Sequence, residues 1–151
     1  LMLRNDPDRE VRIRVASRLE ESHLASMIDD GDYYVRQVVA RRLPAGMLFQ
    51  MMHDADPEVR LTVARRIGTE WLAKMSADGD ARVRIEVARR IDGGSLHLLV
   101  KDPDWRVRYE VTSRIAGKYL AQMSGDDAPA VRELALSRLA PGQGMQAFGI
   151  V

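Results

Sequence analysis

The stretch DADPEVRLTVARRI, residues 54–67, opens on two aspartates one residue apart, passes through Pro57, and then places Val59, Val63 and Ile67 four apart. A spacing of four marks one face of a helix, whereas a strand would alternate every two residues. Asp56 is a good N-cap, and Pro57 suits the first helical position, where a missing N–H costs nothing. The stretch predicts a helix of about three turns with a narrow apolar face.

The same phrase recurs. Cutting the chain every 24 residues gives six blocks without a gap: 1–24, 25–48, 49–72, 73–96, 97–120 and 121–144. The sixth place is always Asp (Asp6, Asp30, Asp54, Asp78, Asp102, Asp126) and the eleventh always Val (Val11, Val35, Val59, Val83, Val107, Val131). The twelfth is always Arg (Arg12, Arg36, Arg60, Arg84, Arg108, Arg132), as is the eighteenth (Arg18, Arg42, Arg66, Arg90, Arg114, Arg138). Self-similarity at a fixed period is the mark of a repeat solenoid.

The rest of each block carries a second apolar pair: Leu24, Leu48, Leu72, Leu96 and Leu120 are followed three residues later by Met27, Met51, Met75, Leu99 and Met123. That spacing on so short a segment predicts a turn or so of helix, of the 3-10 kind. Armadillo and HEAT units need roughly 40–47 residues and tetratricopeptide units about 34, so the period excludes them. The L-x-x-L-x-L strand signature of ordinary leucine-rich repeats is missing. The expected fold is all-α: a right-handed solenoid or superhelix of six repeats over 1–144, each one α-helix plus one very short helix. The uncharged residues 145–151 follow as an apolar capping tail.

At 151 residues, 46% apolar and 30% charged, the chain is neither a disordered tail nor a membrane protein. No apolar run approaches the roughly 20 residues of a membrane span. The opening residues are too charged for a signal peptide, and a cytoplasmic protein is expected. Cysteine is absent, which excludes disulfides and thiolate metal ligands within the chain. The net charge is only +1, although 23 residues are basic and all but Lys74, Lys101 and Lys118 of these are Arg.

The unit D-x-D-x-x-V-R-x-x-V-A-x-R-L/I with its following Leu-x-x-Met resembles the leucine-rich repeat variant family of bacteria, and the resemblance covers residues 1–144. It implies an α-solenoid in which α and 3-10 helices alternate. It also implies an association with nitrogen-fixing bacteria and an N-terminal cysteine-rich segment holding a [4Fe–4S] cluster. With no cysteine here, the resemblance puts any such cluster on a segment upstream of Leu1. An upstream part is expected, because Leu1 falls inside a short-helix unit and no Met initiates the chain.

Helical geometry sorts the arginines. With the eleventh place at zero and about 100° per residue, the fifteenth and nineteenth fall near 40° and 80°. The twelfth and eighteenth then border this stripe, at about 100° and about −20°. An Arg at the edge of a core needs a carboxylate or carbonyl partner. The two Arg columns and the sixth-place Asp column are therefore expected to form an Asp–Arg ladder stitching the repeats together. The seventeenth place, at about 240°, faces away. It carries Arg41, Arg65 and Arg89 in the middle blocks but Ser17, Ser113 and Ser137 in the outer ones. With Arg82 and Arg106 at the tenth place, these make a candidate partner surface for anionic groups, diluted by Glu58, Glu86 and Glu110.

Other chemistry is not legible. His23, His53 and His97 occupy three different places and form no metal or catalytic set; Trp71 and Trp105 also differ in place and read as isolated packing residues. No Ser–His–Asp set or phosphate-binding glycine loop is visible. The function expected is a non-enzymatic scaffold presenting variable outer side chains to a protein partner. One alternative is the repeat arm of an iron–sulfur protein. Another is an Arg-rich nucleic-acid-binding array, against which stand the net charge and the 5% aromatic content.

Overall fold

The structure is a computed structural model describing residues 2–141, so the expected tail at 145–151 lies outside the described residues. All regular structure among the described residues is helical. The chain comprises two compact units, residues 1–87 and 88–151, the division falling within the fourth long helix.

In the first unit the long helices are Arg9–Arg18, Tyr33–Arg42 and Pro57–Arg66, followed by most of Ala81–Arg90. The second unit holds the end of that helix, then Trp105–Arg114 and Pro129–Leu139. The first five begin where the eighth-place aspartate predicts, and the sixth begins after Ala128 at the same place. The carboxylates of Asp8, Asp32, Asp56, Asp80 and Asp104 accept the N–H two residues ahead at 2.8–2.9 Å. Each sixth-place aspartate makes the same turn one step earlier, accepting the eighth-place N–H, as in Asp54 with Asp56 at 2.9 Å. Two side chains thus set the entry into the first five long helices, since both occupy donors that would otherwise be left unpaired.

Helices end through the nineteenth residue. Leu19, Leu43, Ile67 and Ile115 turn to extended backbone while their N–H closes on the fifteenth-place carbonyl at 2.7–2.8 Å. The side chain that ends the helix is also core. In the first unit Val35, Val39, Leu43, Val59, Val63 and Ile67 are fully buried, capped from the short segments by Leu24, Leu48, Leu72, Met27, Met51 and Met75. In the second unit Val107, Val111, Ile115, Leu96, Leu99, Leu120 and Met123 do the same. Each such side chain contributes about 1.5–3 kcal/mol relative to exposure. In the first repeat the equivalent Val11, Val15 and Leu19 are only half-buried, and line an open apolar hollow of about 450 Å³ with Leu3, Arg14 and Arg18.

The short segments come in three forms rather than one. Ala45–Met51 and Gly93–Leu99 are 3-10 throughout. Glu21–Leu24 and Thr69–Leu72 are single α turns that tighten into 3-10 at Ala25–Met27 and Ala73–Met75. Gly117–Met123 is wholly α, and Gly117 enters it at φ +63°, the one positive φ among the described residues. A side chain there would strain the backbone.

Candidate functional site

The ladder column at the twelfth place makes one repeated joint. Arg12, Arg36, Arg60 and Arg108 donate from Nε to Oδ2 of Asp30, Asp54, Asp78 and Asp126 at 2.8–2.9 Å. Their Nη2 donates to Oδ1 of the same carboxylate at 3.0–3.2 Å. Nη1 turns back to the sixth-place carbonyl of its own repeat, as it does also in Arg84 to Asp78 and Arg132 to Asp126. The carboxylates are 6–9% exposed. The hydrogen bonds to aspartate hold the four guanidiniums above the ordinary arginine range, and the Arg108 bond holds the Asp126 carboxyl below its own. Asp6 and Asp102 accept from the N–H of Asp8 and Asp104.

The eighteenth-place arginines depart from the expected Asp–Arg ladder. Arg42, Arg66, Arg114 and Arg138 donate to backbone carbonyls of the preceding helix end: Ala16; Ala40 and Leu43; Ala88 and Ile91; Thr112 and Ile115. The reason lies in helix ends, whose last carbonyls have no partner within the helix. An arginine of the next repeat satisfies them, and its charge suits the negative end of the dipole. Arg18 ends the first helix and lines the apolar hollow, and Arg90 ends the fourth.

The outward row is a lattice of ion pairs, not an open basic strip. Arg65 Nε lies 3.5 Å from Glu86, and Arg89 Nη2 3.0 Å from Glu110. Arg82 bridges Asp80 at 2.9 Å and Glu58 at 2.6 Å, which raises its pKa and lowers that of Asp80. Arg106 pairs with Asp104 at 2.7 Å. Four of the five candidate arginines thus meet carboxylates of their own chain, which corrects the expectation of a surface for anionic groups. Arg41 differs, standing over the Tyr34 ring with 5.9 Å to its centroid.

Aromatic residues supply what sequence reasoning missed. Trp105 is 47% exposed and Tyr109 38%, one turn apart on Trp105–Arg114, so Trp105 is not a packing residue. Tyr33 and Phe49 are exposed as well. Trp71 is not isolated: it stacks on Phe49 at 5.1 Å, with the Lys74 ammonium 4.7 Å from its ring centroid. Their irregular places within the repeat hid them. The three histidines are exposed, and among the described residues no group of three His, Cys, Asp or Glu side chains could hold a metal ion.

Comparison with known proteins places this architecture. A solved structure described as a leucine-rich repeat variant with a novel repetitive structural motif is 36% identical, with a TM-score of 0.84 over 97% of this chain. The chain belongs to the leucine-rich repeat variant family. The model of that family, the leucine rich repeat variant, matches residues 33–56. The leucine-rich repeat variant chain spans 66% of the length of that relative. An engineered protein, 15% identical, matches with a TM-score of 0.54 over 98% of this chain and 95% of its own, a likeness of fold alone. No curated protein matches. The fold is an all-α helical-repeat solenoid with short 3-10 helices between the longer ones. No helix among the described residues is long and apolar enough to cross a membrane.

Proposed function

We propose that this leucine-rich repeat variant chain is a non-enzymatic scaffold that presents the outer faces of its long helices to a protein partner. The observation that carries the reading is the exposure of Tyr33, Trp105 and Tyr109 on those helices, beside arginines held in fixed geometry. Tyr, Trp and Arg are the side chains that dominate protein interfaces, because they bring large contact area at small entropic cost. The invariant columns are occupied with joining the repeats, which leaves the variable places to differ without loss of fold. Ion pairing of Arg65, Arg82, Arg89 and Arg106 speaks against a phosphate-tracking strip. Any [4Fe–4S] cluster would need ligands from outside this sequence, since it contains no cysteine.

The test is capture from a cell extract with the full chain as bait, compared with Trp105→Ser/Tyr109→Ser. The double variant should melt like the parent yet lose its specific partner. An unchanged set of captured proteins at unchanged stability would overturn the reading.

A further inference from the structure

The outward ion pairs follow a rule, and Arg41 is where it breaks. Arg65 reaches Glu86 and Arg89 reaches Glu110, in each case from the seventeenth place of one repeat to the fourteenth of the next, 21 residues on. The residue at that step from Arg41 is Thr62. Thr62 is buried, donates its hydroxyl to the Glu58 carbonyl at 3.0 Å and accepts from Gln37 Nε2 at 3.5 Å. Arg41 is exposed and has no carboxylate within 4.0 Å among the described residues. Acids at the starts of its own and the flanking helices are engaged elsewhere: Glu58 with Arg82 at 2.6 Å, Asp32 with Arg9 at 3.3 Å and Glu10 with Arg9 at 3.5 Å.

What surrounds Arg41 is aromatic. Its guanidinium stands over Tyr34, and Tyr33 meets Tyr34 edge-on with ring centroids 6.4 Å apart and planes at 82°. A guanidinium steadied by a ring keeps its in-plane donors free for a carboxylate fork. Tyr33, on the outside of the cluster, offers apolar area and a hydroxyl to whatever brings that carboxylate.

The geometry points to Arg41, backed by Tyr34 and Tyr33, as the docking point for a carboxylate from an acidic segment of a protein partner. That carboxylate takes the role that Glu86 and Glu110 play for Arg65 and Arg89. The inference rests on the scaffold reading and names the chemistry of the partner. A polyphosphate fits less well, because Arg65, Arg82 and Arg89 are paired with carboxylates of the chain and leave no continuous basic strip for an anionic backbone.

Fluorescence anisotropy on the full chain tests this with a labelled panel of Asp- and Glu-containing peptides, their Asn and Gln counterparts, and a labelled single-stranded RNA. Acidic members should bind and their amide counterparts should not. Arg41→Ala should weaken that binding about tenfold, the loss of one charge-assisted fork. Thr62→Glu gives Arg41 a partner within the chain and should weaken binding likewise with Arg41 still present; if this variant melts early, Arg41→Gln replaces it. Arg89→Ala should leave binding unchanged. Failure of the native chain to bind any acidic peptide, indifference of binding to Arg41, or tighter Arg41-dependent binding of the RNA would each overturn the inference. None of these outcomes touches the capture dependence on Trp105 and Tyr109, so the scaffold reading stands or falls separately.

Discussion

Arg36 holds Asp54 of the next repeat by two parallel hydrogen bonds, Nε to Oδ2 at 2.8 Å and Nη2 to Oδ1 at 3.0 Å. Its remaining nitrogen, Nη1, donates to the Asp30 carbonyl of its own repeat at 2.7 Å. One planar side chain therefore fixes the turn that starts its own helix and the turn that starts the next. Asp54 in turn accepts the Asp56 N–H, so the joint and the helix start are the same structure.

This joint predicts a contrast between two arginines of one helix. Arg60 clamps Asp78 with its side chain mostly covered, while Arg65 is largely exposed. Arg60→Ala strands a covered carboxylate and should cost about 3 kcal/mol, whereas Arg65→Ala should cost less than about 0.5 kcal/mol. Arg60→Lys should recover little, because an ammonium cannot span both carboxylate oxygens and the carbonyl behind. Urea titration of the three variants decides it. Equal midpoints for Arg60→Ala and the parent would sink the clamp.

The eighteenth column obeys a different rule. A single nitrogen of Arg66, Nη1, serves both the Ala40 and Leu43 carbonyls, at 2.6 and 2.9 Å. Arg66→Ala should cost about 1–2 kcal/mol, the typical penalty for carbonyls left unpaired where water is scarce. Arg66→Lys should recover a good part of this, since one donor atom suffices. Thermal melts of both variants beside Arg60→Lys give the comparison; equal damage from the two lysine substitutions would show that fork geometry is not what separates the columns.

Acid should release the joints through their carboxylates. Arg108 lowers the Asp126 carboxyl below its ordinary value of 3.8. A carboxyl lowered in the folded state adds stability in full above its unfolded pKa. That contribution disappears as the pH falls below that value and through the lower folded one. Asp126→Asn should therefore cost stability at neutral pH and show a shallower acid loss than the parent below about pH 4. Parallel stability curves for the two proteins across that window would place the acid sensitivity elsewhere.

The sixth repeat lacks one of the two aspartates that start a helix. Ala128 stands at the cap of Pro129–Leu139 with φ −82° and ψ 122°, close to the angles of Asp56, but with no side chain to accept an N–H. Ala128→Asp should stabilise by about 1 kcal/mol. A lower melting temperature would mean that repulsion from Asp126 and Asp127 outweighs the cap.

Much of this fold is written in the chain, and the reason is local. The Asp-x-Asp start, the four-residue apolar spacing and the Leu-x-x-Met pair all act within one repeat. Their consequences follow from bond angles and helix pitch. The short segments were less legible. Ala45–Met51 and Gly117–Met123 have similar apolar spacing and differ in helix type, a difference the spacing alone does not encode.

What the residues of a single repeat could determine was which side chains lie at the edge of the core and which face outward. What only the tertiary structure decided was whom they meet. Arg66 finds carbonyls, and a carbonyl has no letter in the sequence. Arg65 finds Glu86, while Arg41 finds no carboxylate among the described residues, although both occupy the same place, because the partner comes from the next repeat, 21 residues on. Helix periodicity sets direction along one chain segment. Distance between segments is set by packing, and the pairing of charges follows distance.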